Sequence, residues 1–309
     1  MTQAASAPLR YACYSIIASI LTLTLKFTAY GVTGSVGLLS DALESLVNLT
    51  AGAIALTALI IAARPADSRH AYGHGKVEYF ASAAEGGMIL LAALGIAWEA
   101  WQRFNEPADL QNLTIGLVTA ALAAAVNFAA ARILLSAGRR FDSITLEADA
   151  RHLLTDVWTS IGLILGLGLI LINPSWRILD PIIAGIMAVN IMFTGISLLR
   201  RSAAGLMDAT LPRDQMQAIE EAILATHDGA EYHGLRARKS GSLVFVDFHL
   251  LVPGTTSVKA AHDLTCDMEE AIRARLPRSQ VTVHVEPMED AVSRDGERVG
   301  GMCSDRKKD

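Results

Sequence analysis

Residues 144–172 read ITLEADARHLLTDVWTSIGLILGLGLILI. The stretch is strongly apolar and exceeds the ~20 residues that an α-helix needs to cross the hydrocarbon core of a bilayer. No cleavage site for a signal peptide precedes the first such stretch in the chain, so we expect that stretch to be a retained helix. The sequence therefore predicts an α-helical membrane protein with six transmembrane helices, over Tyr11–Tyr30, Val36–Ala63, Tyr79–Trp101, Leu113–Leu135, Ile144–Ile172 and Ile178–Leu199.

Composition supports a membrane protein and excludes other classes. Of the 309 residues, 52% are hydrophobic and 18% are charged, which is too apolar for a soluble globular protein of this length. The net charge is −5, and no basic cluster with interleaved aromatic residues occurs, so nucleic acid is not an expected partner. Three widely separated cysteines indicate neither a disulfide framework nor a cysteine-based zinc site.

Basic residues mark the orientation in the membrane. They concentrate at the N-terminus, in the second and fourth loops and after the sixth helix: Arg10; Arg64, Arg69 and Lys76; Arg139 and Arg140; Arg200 and Arg201. Because cytoplasmic loops carry the excess of Lys and Arg, this pattern predicts that both termini are cytoplasmic.

After Arg201 the pattern becomes that of a soluble domain. We predict helices over Pro212–Thr226 and Val258–Arg275 and strands over Tyr232–Lys239, Leu243–Leu251 and Gln280–Glu286. The order α-β-β-α-β indicates a small cytosolic α+β domain with its helices on one face of a sheet. The expected organisation is a transmembrane domain over residues 1–203, the α+β domain over 204–290 and a disordered polar tail over 291–309.

Ionisable residues inside the predicted spans point to chemistry, because each is costly in hydrocarbon unless it faces a cavity or a partner. Helix two carries Glu44 and Asn48 four residues apart, and helix five carries His152 and Asp156 at the same spacing. Each pair lies on one helical face, so the two helices together can offer four ligands to one metal ion. The alternative is a network of interhelical hydrogen bonds or a pH-dependent structural network.

Two further polar residues fall in the spans. Asp41 lies one turn before Glu44, where it is either a further ligand or gate residue or a first-turn carboxylate that interacts with the helix dipole. Lys26 is interpreted as a snorkelling or paired charge without a role in transport.

The second loop reads PADSRHAYGHGKVEY over residues 65–79. Asp67, His70 and His74 are separated by three and four residues, and a carboxylate with two imidazoles forms a plausible metal cluster. A solvated polar loop without metal is an equally good interpretation of this spacing alone.

Histidines are frequent in the soluble domain. His233, His249, His262 and His284, together with Glu286, can supply one or two metal sites if neighbouring strands bring them onto one face. For any single one of them, a surface histidine that binds nothing is the better interpretation, and His227 looks like such a residue.

From Tyr11 to about Pro287 the sequence closely resembles the cation diffusion facilitator family, especially its bacterial zinc and ferrous-iron efflux branch. The resemblance rests on HxxxD at His152 and Asp156 and on PADxxHxxGHGKxE in the second loop. It implies a homodimer in the bacterial inner membrane with six spanning helices and a ferredoxin-like, metallochaperone-like cytosolic domain for metal binding and dimerisation. It also implies exchange of a cytoplasmic divalent metal ion for protons.

By this resemblance, the residues take three roles. Glu44, Asn48, His152 and Asp156 correspond to the transport site, Asp67, His70 and His74 to a loop site, and His233, His249, His262, His284 and Glu286 to a binuclear cytosolic site. Lys76 and Asp208 match a charge pair that links helix three to the cytosolic domain across the dimer. Glu44 and Asn48 depart from the family's usual Asp or His followed by Asp, so Zn²⁺, Fe²⁺, Mn²⁺, Co²⁺ and Cd²⁺ all remain candidate substrates.

Two other functions compete with transport. A membrane-anchored metal sensor or assembly protein would bind metal without moving it, and Asn48 keeps this alternative open. An intramembrane metalloenzyme is disfavoured because the spans contain no HExxH motif, so we expect no enzymatic activity and no catalytic cofactor.

Overall fold

The computed structural model describes residues 6–106, 109–141, 144–227 and 230–290. The tail expected over residues 291–309 lies outside them. The helices are α1 (Ser6–Thr33), α2 (Val36–Ala62), α3 (Val77–Asn105), α4 (Leu113–Phe141), α5 (Ile144–Ile172), α6 (Leu179–Leu206), α7 (Arg213–Thr226) and α8 (Val258–Arg275). The strands are β1 (Glu231–Ser240), β2 (Leu243–Val252) and β3 (Ser279–Pro287).

Helices α1 to α6 are long and apolar enough to cross a membrane, which confirms the six predicted spans. The bounds of α5 agree with the prediction, whereas α4 continues six residues beyond Leu135 and α6 seven beyond Leu199. Hydropathy identifies only the apolar part of a helix, whereas the helix itself continues into the polar residues beyond that part. Arg139 and Arg140 occupy the last turn of α4, where positive charge is favourable for the helix dipole.

The chain forms two compact units: the residues up to Thr57 with Ala81–Arg200, and Ala58–Phe80 with the chain from Arg201 onward. In the first unit, buried small residues let the helices approach closely. Ala93 on α3 and Ala188 on α6 belong to one cluster, and a Cβ at Gly195 would lie 2.9 Å from Ile89 Cγ2. A second cluster, with Ala29, Ala120 and Leu167, joins α1, α4 and α5.

The start of α2 is capped by a carboxylate from α6. Asp180, which is buried, accepts hydrogen bonds from Ser35 Oγ at 2.5 Å and from the backbone N–H groups of Val36 and Gly37 at 2.9 and 3.1 Å. The first N–H groups of a helix have no partner within the helix, so this carboxylate satisfies them. It thereby attaches α2, the helix that carries Glu44, to α6.

The second unit contains a three-stranded sheet in the order β1-β2-β3, with β1 antiparallel and β3 parallel to β2. Alternate residues of β2, including Val246 and Phe248, pack against Ile223 of α7 and Met268 of α8 in one core. This arrangement confirms the predicted α+β domain with its helices on one face of the sheet. The other face carries the histidines described below.

Candidate metal sites

The loop between α2 and α3 brings together the three ligand-type residues predicted there. Nδ1 of His70 lies 3.2 Å from Oδ1 of Asp67, and Nε2 of His74 lies 3.5 Å from Oδ2 of the same carboxylate. The two imidazole rings are 4.4 Å apart between centroids. One ligand atom from each residue lies within 4.8 Å of the others, a separation that one metal ion can bridge.

Local backbone geometry fixes the Asp67 carboxylate. Oδ1 accepts hydrogen bonds from the backbone N–H groups of His70 and Arg69 at 2.7 and 2.9 Å, and these bonds hold the pKa of Asp67 below its usual value. Nδ1 of His74 is buried and has no hydrogen-bond partner among the described residues. The loop therefore offers an ionised carboxylate and an unused imidazole nitrogen.

The same loop is docked on the sheet. The ring of Tyr72 makes an edge contact with Phe245 of β2 at 5.5 Å, and the Arg238 guanidinium lies 5.3 and 4.6 Å from the centroids of these two rings. Close to this contact, a Cβ at Gly75 would stand 2.3 Å from the backbone oxygen of Ser240. Only glycine allows this close approach, so the sheet supports the loop that carries Asp67, His70 and His74.

Three histidines form a row across the sheet. His249 on β2 is the register partner of His233 on β1 and of His284 on β3. The ring centroids are 4.8 Å apart in the first pair and 4.9 Å apart in the second. Side chains alternate between the faces of a strand, so His249 points away from the core side of Phe248.

One carboxylate, that of Glu286, contacts all three histidines of this row. Glu286 Oε2 lies 3.0 Å from Nε2 of His233, while Oε1 lies 3.0 Å from Nδ1 of His249 and 3.4 Å from Nε2 of His284. His233, His249 and Glu286 each place a ligand atom within 4.8 Å of the other two. Imidazole and carboxylate ligands suit zinc and related transition-metal ions.

Beside this row, β1 is irregular between His233 and Arg236. Gly234 adopts a φ of +63° there, a conformation that favours glycine. The irregularity is the kind of local distortion that re-aims a side chain next to a site.

His262 is not part of this group in the structure, unlike the set expected from the sequence. It lies exposed on α8, with Nε2 3.7 Å from Sγ of Cys266. The reason is that α8 packs on the core side of the sheet, through residues such as Met268, whereas the histidine row lies on the opposite face. The contact with Cys266 was not predicted, although its i, i+4 spacing is visible in the sequence.

The residues predicted for the transport site lie on α2 and α5. Asp156 is buried, Glu44 and Asn48 are partly buried, and His152 is exposed. Ser160, four residues after Asp156, donates to Asp41, three residues before Glu44, at 3.1 Å, so a hydrogen bond joins α2 and α5 one turn from these residues. Among the described residues, Glu44, His152 and Asp156 do not place their ligand atoms within 4.8 Å of one another, in contrast to the loop and sheet groups.

Asn48 has an unused polar group in this region. Its Nδ2 is buried without a hydrogen-bond partner in the part of the chain that the structure describes. Since the two ends of an amide are assigned from their hydrogen bonds, the unpartnered end can be either the nitrogen or the oxygen. The assignment of these four residues to a metal site stays a prediction.

Lys26 and Asp41 form a buried ion pair, so of the two interpretations of Lys26 the paired charge is correct, with Asp41 as a partner that the sequence did not identify. Nζ of Lys26 lies 2.8 Å from Oδ1 of Asp41 and donates to Ser45 Oγ at 2.8 Å. Lys26 is only 1% exposed, so it is paired rather than snorkelling. Asp41 lies in the second turn of α2, which begins at Val36, so the interpretation as a helix-dipole carboxylate is wrong.

Comparisons with known proteins agree over nearly the whole chain. The family described as the cation efflux transmembrane domain matches residues 12–207, and the family described as the cytoplasmic domain of cation efflux proteins matches residues 211–288. Both matches follow the division between the spanning helices and the α+β domain.

Two relatives match this chain over most of its length, and a solved structure matches its C-terminal part. The chain is 48% identical over 284 residues to the uncharacterised transporter sll1263 of Synechocystis sp., with 92% of this chain and 91% of that protein covered. It is 29% identical over 277 residues to the cation-efflux pump FieF of Shewanella oneidensis, with 89% and 92% covered. A solved structure, the metal-bound C-terminal domain of the CzcD transporter from Thermotoga maritima, is 28% identical, covers 26% of this chain and 99% of that chain, and has a TM-score of 0.23.

Proposed function

This chain belongs to the cation efflux family of integral membrane transporters, and on that premise we propose that it exports a divalent transition-metal ion from the cytoplasm in exchange for protons. The proposed transport ligands are Glu44, Asn48, His152 and Asp156. The proposed orientation has both termini in the cytoplasm, in the inner membrane of a bacterium.

One observation carries the proposal: two carboxylates from different spanning helices share an electrostatic environment inside the membrane unit. A hydrogen bond from Ser160 to Asp41 joins α5 to α2 one helical turn from Asp156 and Glu44, and two carboxylates brought to one point inside a membrane require a compensating cation. A divalent ion neutralises both at once. The amide oxygen of Asn48 and the imidazole of His152 complete four ligands, the number that transition-metal ions such as Zn²⁺ use.

The same ligands explain exchange with protons. A carboxylate or imidazole must be deprotonated to bind metal, so metal and protons compete for Glu44, His152 and Asp156. In the inward-facing state the ion binds to the deprotonated ligands. After the helices rock to the outward-facing state, protons displace it, and the protonated ligands return. Asn48 takes no part in proton transfer, which leaves three exchangeable groups.

The loop and sheet groups are proposed as regulatory sites. Both lie outside the spans and both combine imidazole with carboxylate. Metal bound there would favour the conformation that completes its ligand set, and transport would follow the cytoplasmic metal level. We propose that the sheet site lies at a homodimer interface, where His262 of the partner chain can join the ligands. Zn²⁺ and Fe²⁺ are the first candidates for the transported ion, with Mn²⁺, Co²⁺ and Cd²⁺ as the others.

The alternative is a membrane-anchored metal sensor that binds without transporting. The observation in its favour is that, among the residues that the structure describes, the two groups with ligand atoms within 4.8 Å of one another lie outside the spans. A sensor would bind metal there and show no flux.

The test is ion uptake by the purified full chain in proteoliposomes, with a proton-sensitive dye recording counterflow. We expect uptake of at least one of the five ions, accompanied by proton movement in the opposite direction. Asp156→Ala should abolish both, whereas Asp109→Ala, which changes an exposed carboxylate outside the spans, should leave them unchanged. Normal uptake by Asp156→Ala would exclude the proposed site, and binding without any flux in the native chain would favour the sensor.

A further inference from the structure

Lys26 occupies an oxygen-lined position between α1 and α2. Its ammonium contacts Asp41 Oδ1 and Ser45 Oγ, each at 2.8 Å. The hydroxyl of Ser160 on α5 donates to the other carboxylate oxygen of Asp41 at 3.1 Å. Lys26 and Asp41 are 1% and 2% exposed, so the pair is shielded from water on all sides.

This network borders the proposed transport ligands on both helices. On α2, Asp41 lies three residues before Glu44 and shares its face. On α5, Ser160 lies four residues after Asp156, again on one face. The ion pair therefore forms a layer one helical turn from the transport ligands, on the side of the α2 N-terminus. Electrostatic interactions join the layers, because the charges of Lys26 and Asp41 act on both Glu44 and Asp156.

Formal charges across the two layers match one divalent ion. The two layers contain three carboxylates, on Asp41, Glu44 and Asp156, and one ammonium, on Lys26. Two negative charges therefore remain uncompensated, and the pairing of Lys26 with Asp41 assigns them to Glu44 and Asp156. If the ammonium instead paired with Glu44 or Asp156, it would occupy a ligand of the transported ion.

We propose that Lys26 and Asp41 are positioning residues that set the charge and the ion preference of the transport site. Asp41 holds the Lys26 ammonium away from Glu44 and Asp156, so that both carboxylates are free for the ion. Lys26, in turn, prevents Asp41 from becoming a third carboxylate ligand. The inference rests on the proposed function of Glu44 and Asp156 as transport ligands.

The two residues should then respond to substitution in opposite ways. In Asp41→Asn the ammonium is released, and it competes with the transported ion for the remaining carboxylates, so the apparent affinity for transition metals falls. In Lys26→Met an extra carboxylate becomes available, and the preference shifts toward ions that favour oxygen ligands, such as Mn²⁺ and Ca²⁺. The double variant Lys26→Met/Asp41→Asn regains the original excess of two negative charges and should regain the original preference.

The experiment measures uptake of Zn²⁺, Fe²⁺, Mn²⁺ and Ca²⁺ by the full chain in proteoliposomes, with KM and kcat determined separately. We expect Asp41→Asn to raise KM for the preferred transition metal by about tenfold or more, the factor that 1.4 kcal/mol of lost binding produces. Lys26→Met should raise uptake of Mn²⁺ or Ca²⁺ relative to that metal by a similar factor. The double variant should return both quantities toward native values, and Thr57→Ala, at an exposed position of α2, should change neither.

General damage to the fold would give a different pattern. Loss of a buried partner that acted only structurally would lower kcat in both single variants without changing ion preference, and that result would overturn the proposal. A double variant that keeps the altered preference of Lys26→Met would overturn it too. If Lys26→Met does not fold, Asp41→Asn and the double variant still decide, because recovery of KM in the double variant requires Lys26 to be the competitor. If Asp156→Ala abolishes uptake while substitutions at Lys26 and Asp41 change neither KM nor ion preference, this inference alone is rejected. The proposed transport site then stands.

Discussion

Nζ of Lys76 lies 2.9 Å from Oδ1 of Asp208 within one chain, and Nη1 of Arg238 lies 3.2 Å from the same oxygen. The resemblance seen in the sequence implied a Lys76–Asp208 pair across the dimer, and the structure forms the pair inside a single chain. The carboxylate, two residues after the end of α6, thus connects the end of the loop between α2 and α3 to strand β1. The hydrogen bond from Lys76 and the positive charge of Arg238 lower the pKa of Asp208.

Asp208→Asn should reduce stability modestly and in a pH-dependent way. The side chains of Lys76 and Asp208 are 36% and 40% exposed, so we expect a loss of about 1 kcal/mol or less near pH 7. Because the folded pKa is lowered, this stabilisation is fully present above the ordinary aspartate pKa of about 3.9 and is lost as pH falls through the folded value. Thermal unfolding in detergent from pH 7 to pH 3 measures the difference, and a difference that stays constant on acidification would contradict the expectation.

The charged carboxylate of Asp67 should stabilise the turn of the loop until the pH falls far enough to protonate it. Its pKa is lowered mainly by the backbone N–H groups of His70 and Arg69, so the contribution of the charged carboxylate persists above about pH 4 and disappears below. Hydrogen exchange of these two amides, normalised to intrinsic rates, provides the measurement. Asp67→Asn keeps an acceptor oxygen and should keep partial protection without the pH dependence, whereas Asp67→Ala should lose protection at every pH.

Glu286→Gln should weaken the sheet site. The substitution preserves shape but removes the charge that serves His233, His249 and His284, so we expect the affinity of that site for Zn²⁺ to fall by at least about tenfold. Competition with a chromophoric chelator measures it on the full chain in detergent. His227→Ala, at an exposed histidine after α7, is the matched control. Equal affinities for Glu286→Gln and the native chain would remove Glu286 from the ligand set.

Gly75→Ala should displace the loop that carries Asp67, His70 and His74 from the sheet. The added Cβ would lie 2.3 Å from the Ser240 backbone oxygen, which cannot move independently of β1, so we expect a loss of about 1–3 kcal/mol. Trypsin cleavage after Arg64 and Arg69 should become faster. Gly87→Ala adds the same methyl group to α3 where nothing lies within 4 Å, and it should be neutral or stabilising. Unchanged cleavage in Gly75→Ala would show that the loop tolerates the contact.

Asp180→Ala should destabilise the membrane unit strongly. The buried carboxylate accepts from Ser35, Val36 and Gly37, and its loss leaves these buried donors unsatisfied, at a cost of about 1–3 kcal/mol for each. Asp109→Ala removes an exposed partner of Arg177 and should cost less than about 1 kcal/mol. Unfolding temperatures in detergent compare the two, and equal shifts would argue against the cap.

The six spans and the α+β domain could be predicted because each depends on local pattern. A run such as residues 144–172 is decided by its own hydropathy, and the i, i+4 spacing of His152 and Asp156 places them on one helical face without any tertiary information. The loop group could be predicted for the same reason, since Asp67, His70 and His74 lie within a single turn-forming segment.

Contacts between distant elements could not be predicted in the same way. The pairing of His249 with both His233 and His284 depends on strand register, and the position of His262 depends on which sheet face α8 covers. Lys26 and Asp41 are visible as isolated charges in apolar helices, but their pairing requires the packing of α1 against α2. The partners of Asp180 could not be predicted, because they are a hydroxyl and two N–H groups more than 140 residues earlier in the chain.

The Asp180 cap also bears on the biosynthesis of the protein. Ser35 and Asp180 are 145 residues apart, and the carboxylate that completes the first turn of α2 comes from the last spanning helix to be synthesised. Until α6 enters the membrane, the exposed N–H groups of Val36 and Gly37 depend on water at the membrane surface. A nascent chain that stops before α6 therefore has its proposed ligand helix inserted but unanchored, and the proposed transport site can be complete only in the finished membrane domain.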